Sequence, residues 1–232
     1  MTRSVNIQYL GTNTELFVHD NEAVSNYIFG TKSFYEIQFL DFISKYYNKQ
    51  KIILDIGANI GNHSLFFLKF LECDAVYSFE PMPCNIDLLK KNTQAYSEKS
   101  VIYEVALSNT EGEMPVYNSD ASNLGGFSLH SYENGSSFLV GQQADVIKLD
   151  SLNLTNVSMM KLDVENHENE VLDGARQTIL NNKPIIFIEN LFHGYPNVCP
   201  NPNPHEKIFT ELNYKKVASN IFGGYMDMWV SA

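Results

Sequence analysis

The chain has 232 residues, long for one domain and short for two, and enough to bury a core without disulfide or metal staples. Sixteen basic against 27 acidic residues leave a formal net charge of −11, and no Lys/Arg run relieves it, which speaks against a nucleic-acid partner. Cys73, Cys84 and Cys199 lack CxxC spacing and read as free thiols; no apolar signal segment and no stretch of ~18 apolar residues occurs, so a cytoplasmic protein with no membrane span is expected.

Val5–Leu10 and Glu15–His19 alternate as two strands of a hairpin joined through Gly11-Thr12-Asn13-Thr14. Phe34–Tyr47 carries apolar residues at helical spacing and predicts a helix against one end of a sheet. From residue 51 the pattern becomes regular. Lys51–Asp55 is an apolar strand ending in a carboxylate, followed by a glycine-rich turn and a helix over about 62–71. Ala75–Glu80 is a second strand ending in an acid, then a helix over about 84–95, then a strand at Val101–Ala106. Residues 118–143, rich in Ser, Gly and Asn with turn signals at Gly125-Gly126 and Asn134-Gly135, predict a mobile insertion. Met159–Asp163 is a fourth strand, Glu168–Asn181 a helix and Pro184–Glu189 a fifth strand. A Pro/Asn-rich loop (Tyr195–Pro204), a helix over about 205–212 and short strands near 215–218 and 226–230 complete the chain. Strands alternating with helices at this pace imply an α/β domain with a mostly parallel sheet and helices on both faces.

Asp55-Ile-Gly57-Ala-Asn59-Ile-Gly61 is the most informative segment. Glycines after a buried strand let the backbone turn sharply and approach a ligand. The pattern is G-x-N-x-G rather than the G-x-G-x-x-G of a dinucleotide site, and Asp55 would repel a pyrophosphate. Paired acids at two consecutive strand ends, Asp55 and Glu80, instead suit a cationic nucleoside. An ionised Glu80 offers only acceptors, as a ribose diol requires.

Six segments together resemble the FkbM family of S-adenosylmethionine-dependent methyltransferases: DIGANIGNHSLFF (55–67), FEPMPCNIDLLKKN (79–92), VALSNTEGEMPVY (105–117), VIKLDSL (146–152), MKLDVENHENEVLDGA (160–175) and PIIFIEN (184–190). The resemblance implies a Rossmann-like class I methyltransferase fold, a seven-stranded sheet with one reversed strand near the C-terminus. It divides the chain into an N-terminal hairpin-and-helix extension (1–50) and an S-adenosylmethionine-binding domain (51–232) carrying the 118–143 insertion. It implies that Asp55, Gly57, Asn59, Gly61 and Asn62 line the methionine end of the cofactor, that Glu80 and Pro81 hold the ribose, and that Ala106 and Leu107 lie beside the adenine. Asp163 would face the reaction centre. One departure stands out: the family's Gly after Asp-Val-Glu is Asn166 here, followed by His167.

Asp163, Glu165, His167 and Glu168 crowd one strand-to-helix junction, and Asp163, Glu165 or His167 is the expected general base for methylating an acceptor hydroxyl. Glu168 fits a first-turn role on the helix dipole, and His63 a packing role; Glu189 and His193 stand at the next strand end. A divalent ion among Asp163, Glu165 and Glu189 has the oxygen donors it would want, but no spacing demands it, and a site without metal is favoured. The expected acceptor is a small molecule or glycan, with Phe127, Tyr132, Phe138 and Tyr195 as candidates for stacking on it. A nicotinamide-dependent oxidoreductase and a non-catalytic nucleoside-binding module are the competing readings; oligomeric state is open.

Overall fold

The computed structural model describes residues 2–47, 51–118, 120, 122–131, 138–197 and 199–232. The Asn134-Gly135 turn signal and Tyr132 lie outside them. Two strands, β1 (Thr2–Tyr9) and β2 (Thr12–His19), pair antiparallel. Leu10 and Gly11 alone make the turn, at φ 47° and 75°, the left-handed pair that matches strand twist in a two-residue hairpin. Helix α1 (Ala23–Thr31) has no counterpart in the sequence reading. It is started by the Glu22 carboxylate, which accepts from the Val24 and Ser25 amides. Helix α2 (Ile37–Tyr46) occupies most of the expected 34–47 span.

The alternating core follows as β3 (Ile52–Ile56), α3 (Asn62–Phe70), β4 (Ala75–Phe79), α4 (Pro83–Thr93) and β5 (Ser100–Tyr103). Next come β6 (Ala106–Leu107), β7 (Gly112–Asn118), β8 (Phe127–Ser128) and β9 (Phe138–Ile147). The chain ends with β10 (Val157–Leu162), α5 (Glu168–Asp173), α6 (Arg176–Asn182), β11 (Ile185–Glu189), α7 (Glu206–Glu211), β12 (Tyr214–Ala218) and β13 (Met226–Ser231). The main sheet has seven strands in the order β12-β13-β11-β10-β3-β4-β5, and only β13 runs against its neighbours. The expected sheet with one reversed strand is therefore present. Strand order reverses between β3 and β10, the place where such sheets open a crevice beyond their carboxyl ends.

Period-two alternation sorts the strand residues onto two cores. Ile53, Val76, Met159 and Phe187 pack with Leu65, Phe66 and Phe67 of α3 and with Val5, Ile7, Leu16 and Val18 of the hairpin. Their neighbours Leu54, Ile56, Met160, Leu162, Ile186 and Ile188 face Val171, Leu172 and Ile179 on the other side. The hairpin thus shares a core with the sheet. All six β10 residues are buried, as a central parallel strand requires.

Three expectations change. The strand foreseen at Val101–Ala106 ends at Tyr103, and Ala106–Leu107 pairs with β9 in a separate sheet. The helix foreseen over 168–181 breaks at Gly174, where a Cβ would meet the Ser108 carbonyl oxygen at 2.0 Å; close packing there overrides helical propensity. The mobile insertion is in part a strand-paired structure: β9 pairs antiparallel with β7 from Gly112↔Val146 to Asn118↔Phe138, and β8 pairs with β7. The loop before β8 is also anchored. Asn85 Nδ2 donates to Leu124 O at 2.9 Å, Ala23 N to Ser122 O at 3.2 Å, and Ser128 Oγ to Glu165 O at 2.5 Å.

Candidate active site

A crevice of about 420 Å³ opens over the carboxyl ends of β3, β4, β10 and β11. The turn after β3 forms its floor. Gly57 N and Ala58 N both donate to Phe79 O, at 3.1 and 3.0 Å, folding the loop onto the end of β4. Gly57 sits at φ 79°, and a Cβ on it would lie 1.8 Å from Asp163 O, so only glycine passes between the two strand ends. Asn59, at φ 50°, turns its backbone amide onto Glu80 Oε2 at 2.8 Å, and the Met82 amide donates to Glu80 Oε1 at 3.0 Å. Glu80 is thereby fixed at the crevice wall. Burial pushes its carboxyl up to about 7 against the pull of those two amides.

Gly57, Asn59, Asn62, Glu80, Pro81, Ala106, Leu107, Asp163, Glu165 and His167 all line the crevice. Asp55 and Gly61 do not. Asp55 is fully buried; its Oδ2 accepts from Ser64 Oγ at 2.5 Å and its Oδ1 lies 3.6 Å from Lys161 Nζ. It holds the loop from beneath, because in the β3–β10 register it stands opposite Lys161 rather than at the strand's open end. Gly61 packs instead on Leu89, whose Cδ1 would sit 2.7 Å from an added Cβ. Asn62 commits its amide to the backbone of Tyr35: Tyr35 N donates to Asn62 Oδ1 at 3.0 Å and Asn62 Nδ2 to Tyr35 O at 3.2 Å.

Lys161 was not singled out in the sequence, although a lysine inside an apolar strand is itself a signal. Its Nζ donates to Gly57 O at 3.0 Å and lies 3.1 Å from Asp163 Oδ2. Burial alone would push its ammonium down; the Asp163 and Asp55 carboxylates outweigh that and hold it up. Around this one cation the crevice gathers five carboxylates: Glu36, Glu80, Asp163, Glu165 and Glu189. Burial and the charges of Asp163 and Glu168 push Glu165 up to about 8. Glu189, with one buried oxygen lacking a hydrogen-bond partner, is pushed well above the ordinary range by burial and by Asp163 and Glu165. The site is short of positive charge.

The 163–168 junction has unusual backbone: Glu165 at φ 55° and Asn166 at φ 74°. Asn tolerates that left-handed region better than most residues, so Asn166 takes this turn without a glycine. Glu168 closes the junction, its Oε1 accepting from Val164 N at 3.0 Å at the start of α5. His167 points to the crevice wall, with Nε2 at 3.0 Å from Ser108 Oγ, and burial lowers its imidazole to about 4. It is poorly placed and poorly tuned as a base. His193 is turned away to Asp227 Oδ1, at 2.9 Å. His63 packs in the crevice wall with Nε2 at 3.3 Å from Glu36 Oε2. Phe127 and Tyr195 line the crevice along with Tyr35 and Tyr225, which the sequence did not mark; Phe138 is exposed on β9. Among the described residues no helix is long and apolar enough to cross a membrane.

The geometry has relatives. The hexuronic acid methyltransferase AglP of Haloferax volcanii is 25% identical over 131 residues, 55% of this chain and 51% of the relative. The chain therefore spans about half the length of that curated protein. Among solved structures, a methyltransferase FkbM from Methylobacillus flagellatus superposes with a TM-score of 0.59 at 16% identity, covering 83% of this chain and 47% of the other. A protein provisionally assigned as a caffeoyl-CoA O-methyltransferase from Staphylococcus aureus superposes at 0.54 and 17% identity, covering 84% and 83%. At those identities the superpositions speak for the fold, that of class I methyltransferases. The Methyltransferase FkbM domain matches residues 55–216, most of the chain, and the protein belongs to that family.

Proposed function

We propose that the chain is an S-adenosylmethionine-dependent methyltransferase that methylates a hydroxyl of a sugar or small natural product. The observation that carries this reading is the charge of the crevice: five carboxylates around one lysine at the switch point of the sheet. Such a site attracts a cation and repels the diphosphate of a nicotinamide cofactor. The chain's own residues fit the sulfonium nucleoside. Glu80 stands where two backbone amides hold it, Gly57 leaves room no Cβ could share, and Glu189 keeps an unpartnered oxygen. In this reading Gly57, Asn59 and Asn62 border the methionine end, Glu80 and Pro81 the ribose, and Ala106 and Leu107 the adenine.

When bound, the cofactor supplies an electrophilic methyl group on a positively charged sulfur. The remaining work falls to the chain. Glu165 is the proposed general base: a carboxyl near 8 accepts a proton from a hydroxyl far better than one near 4. Glu165 would take the proton that the acceptor hydroxyl gives up as its oxygen gains the methyl group and the sulfur–methyl bond breaks. Asp163, paired with Lys161, keeps negative potential beside the reaction centre and braces Gly57 through the lysine. Because Lys161 already gives Asp163 a cationic partner, the reading needs no metal at that junction.

AglP is named for a hexuronic acid, whose carboxylate this crevice would repel. The charge here favours an uncharged acceptor, with Phe127, Tyr195 and Tyr225 available to stack on a sugar ring; the two tyrosine centroids lie 6.1 Å apart. A screen with methyl-labelled cofactor over neutral sugars, hexuronates and phenolic acceptors tests this. Transfer to a neutral hydroxyl is expected; binding of NAD in place of S-adenosylmethionine would overturn it.

A further inference from the structure

Three side chains converge where the segment after β8 meets the first turn of α5. His130 Nε2 lies 3.4 Å from Glu170 Oε2, and His167 Nδ1 lies 3.9 Å from the same oxygen. Among the described residues this is the one group of three His, Cys, Asp or Glu whose ligand atoms all lie within 4.8 Å of one another. The His167 side chain is 2% exposed, and its Nδ1 has no hydrogen-bond partner.

The other ring nitrogen is already engaged, with Nε2 3.0 Å from Ser108 Oγ. When Nε2 carries the hydrogen and donates to Ser108, Nδ1 presents a lone pair to the Glu170 carboxylate in a buried place, an arrangement that a cation between them would satisfy.

We propose that His130, His167 and Glu170 form a divalent transition-metal site, with zinc the favoured ion. Two imidazoles and one carboxylate are a zinc donor set that leaves a fourth position for water, whereas magnesium and calcium prefer oxygen alone. Bonds of roughly 2.0–2.2 Å in a tetrahedron place ligand atoms about 3.3–3.5 Å apart. The His130–Glu170 distance already has that value, and the His167–Glu170 distance needs a few tenths of an ångström of closure. Ser108 is the outer partner that orients a ligating imidazole through its second nitrogen. The ion would tie residues 129–131, of which Leu129 lines the crevice, to α5. This site stands apart from the methyl-transfer reading, and either can fail alone.

The test is zinc chloride titrated into full-length protein stripped with chelator, followed by calorimetry and by competition with a chromogenic chelator. One zinc per chain is expected, with a raised melting temperature and, on cobalt(II) substitution, the intense visible absorption of a four-coordinate site. His130→Ala, at a half-exposed position that leaves the fold intact by circular dichroism, should weaken binding at least 100-fold, and Glu170→Gln similarly. Ser108→Ala should cost on the order of tenfold, as removal of an outer hydrogen bond does. Cys84→Ser should change nothing. Uptake well below one equivalent, or affinity unchanged in folded His130→Ala, overturns the site.

Discussion

Glu165 owes its chemistry to its surroundings. Its backbone is held in the left-handed region, with Ser128 Oγ donating to its carbonyl at 2.5 Å, and its carboxyl is pushed up to about 8 by burial and by Asp163 and Glu168. Glu165→Gln is expected to lower kcat by roughly 10²–10⁴-fold while cofactor affinity moves only a few-fold, measured by single-turnover methyl transfer beside calorimetric binding. A fall in affinity equal to the fall in rate would assign Glu165 to binding instead. Lys161 makes a different kind of prediction. Lys161→Met strands the fully buried Asp55 carboxylate and the Gly57 carbonyl, and should cost about 3–5 kcal/mol in urea unfolding. An unchanged midpoint would show that the lysine braces nothing. The carboxylates at strand ends were legible in the sequence because strand and turn signals bracket them. The side to which each points was not. Asp55 and Glu80 look equivalent in sequence, yet register puts Asp55 opposite Lys161 and leaves Glu80 facing the crevice.

At the scale of elements, the β3-to-α3 turn and the roof over it set the shape of the site. Gly57→Ala would press a methyl into the Asp163 carbonyl at 1.8 Å, so the loop must move. Binding of S-adenosylmethionine is expected to disappear in that variant while far-ultraviolet circular dichroism keeps its α/β signature; retained affinity would mean the turn does not need its present course. The strands and helices from 51 to 103 were readable because local pattern and tertiary demand agree there. They disagree in two places. Gly174 breaks a helix whose apolar spacing continues through it, for a contact with Ser108 that lies far away in sequence. Residues 138–143 follow a Ser/Gly/Asn-rich stretch but extend β9, since β7 supplies the partner that the local sequence cannot announce. Helix α1 was missed for a similar reason: its apolar stripe is weak, and only its burial against the hairpin defines it.

The whole molecule carries a net charge of −11 and concentrates five carboxylates in one cavity. That concentration has a consequence for stability. Glu80 and Glu168 near 7 and Glu165 near 8 stand above the unfolded value of about 4.3, so the folded ligand-free protein holds extra protons until the pH passes those values. His167 and His205, both lowered to about 4, act in the opposite direction, but only below their unfolded value of about 6.5. Between pH 6.5 and 8 the glutamates act together with His130, whose imidazole its hydrogen bond to Glu170 holds above the usual value; both lose their extra protons as the pH rises, so the melting temperature of ligand-free protein should fall across that interval, and a rise would contradict the placement of these groups.

A cation entering the crevice favours the ionised carboxylates, so its affinity must run the other way. Calorimetric titration of the protein with S-adenosylmethionine at pH 6.5 and at pH 8, with NAD as the comparison ligand, measures this directly. One molecule should bind per chain, about fivefold or more tightly at pH 8, because a proton that must be expelled at the lower pH is already gone. No binding of S-adenosylmethionine, affinity that ignores pH, or preference for NAD would contradict the account.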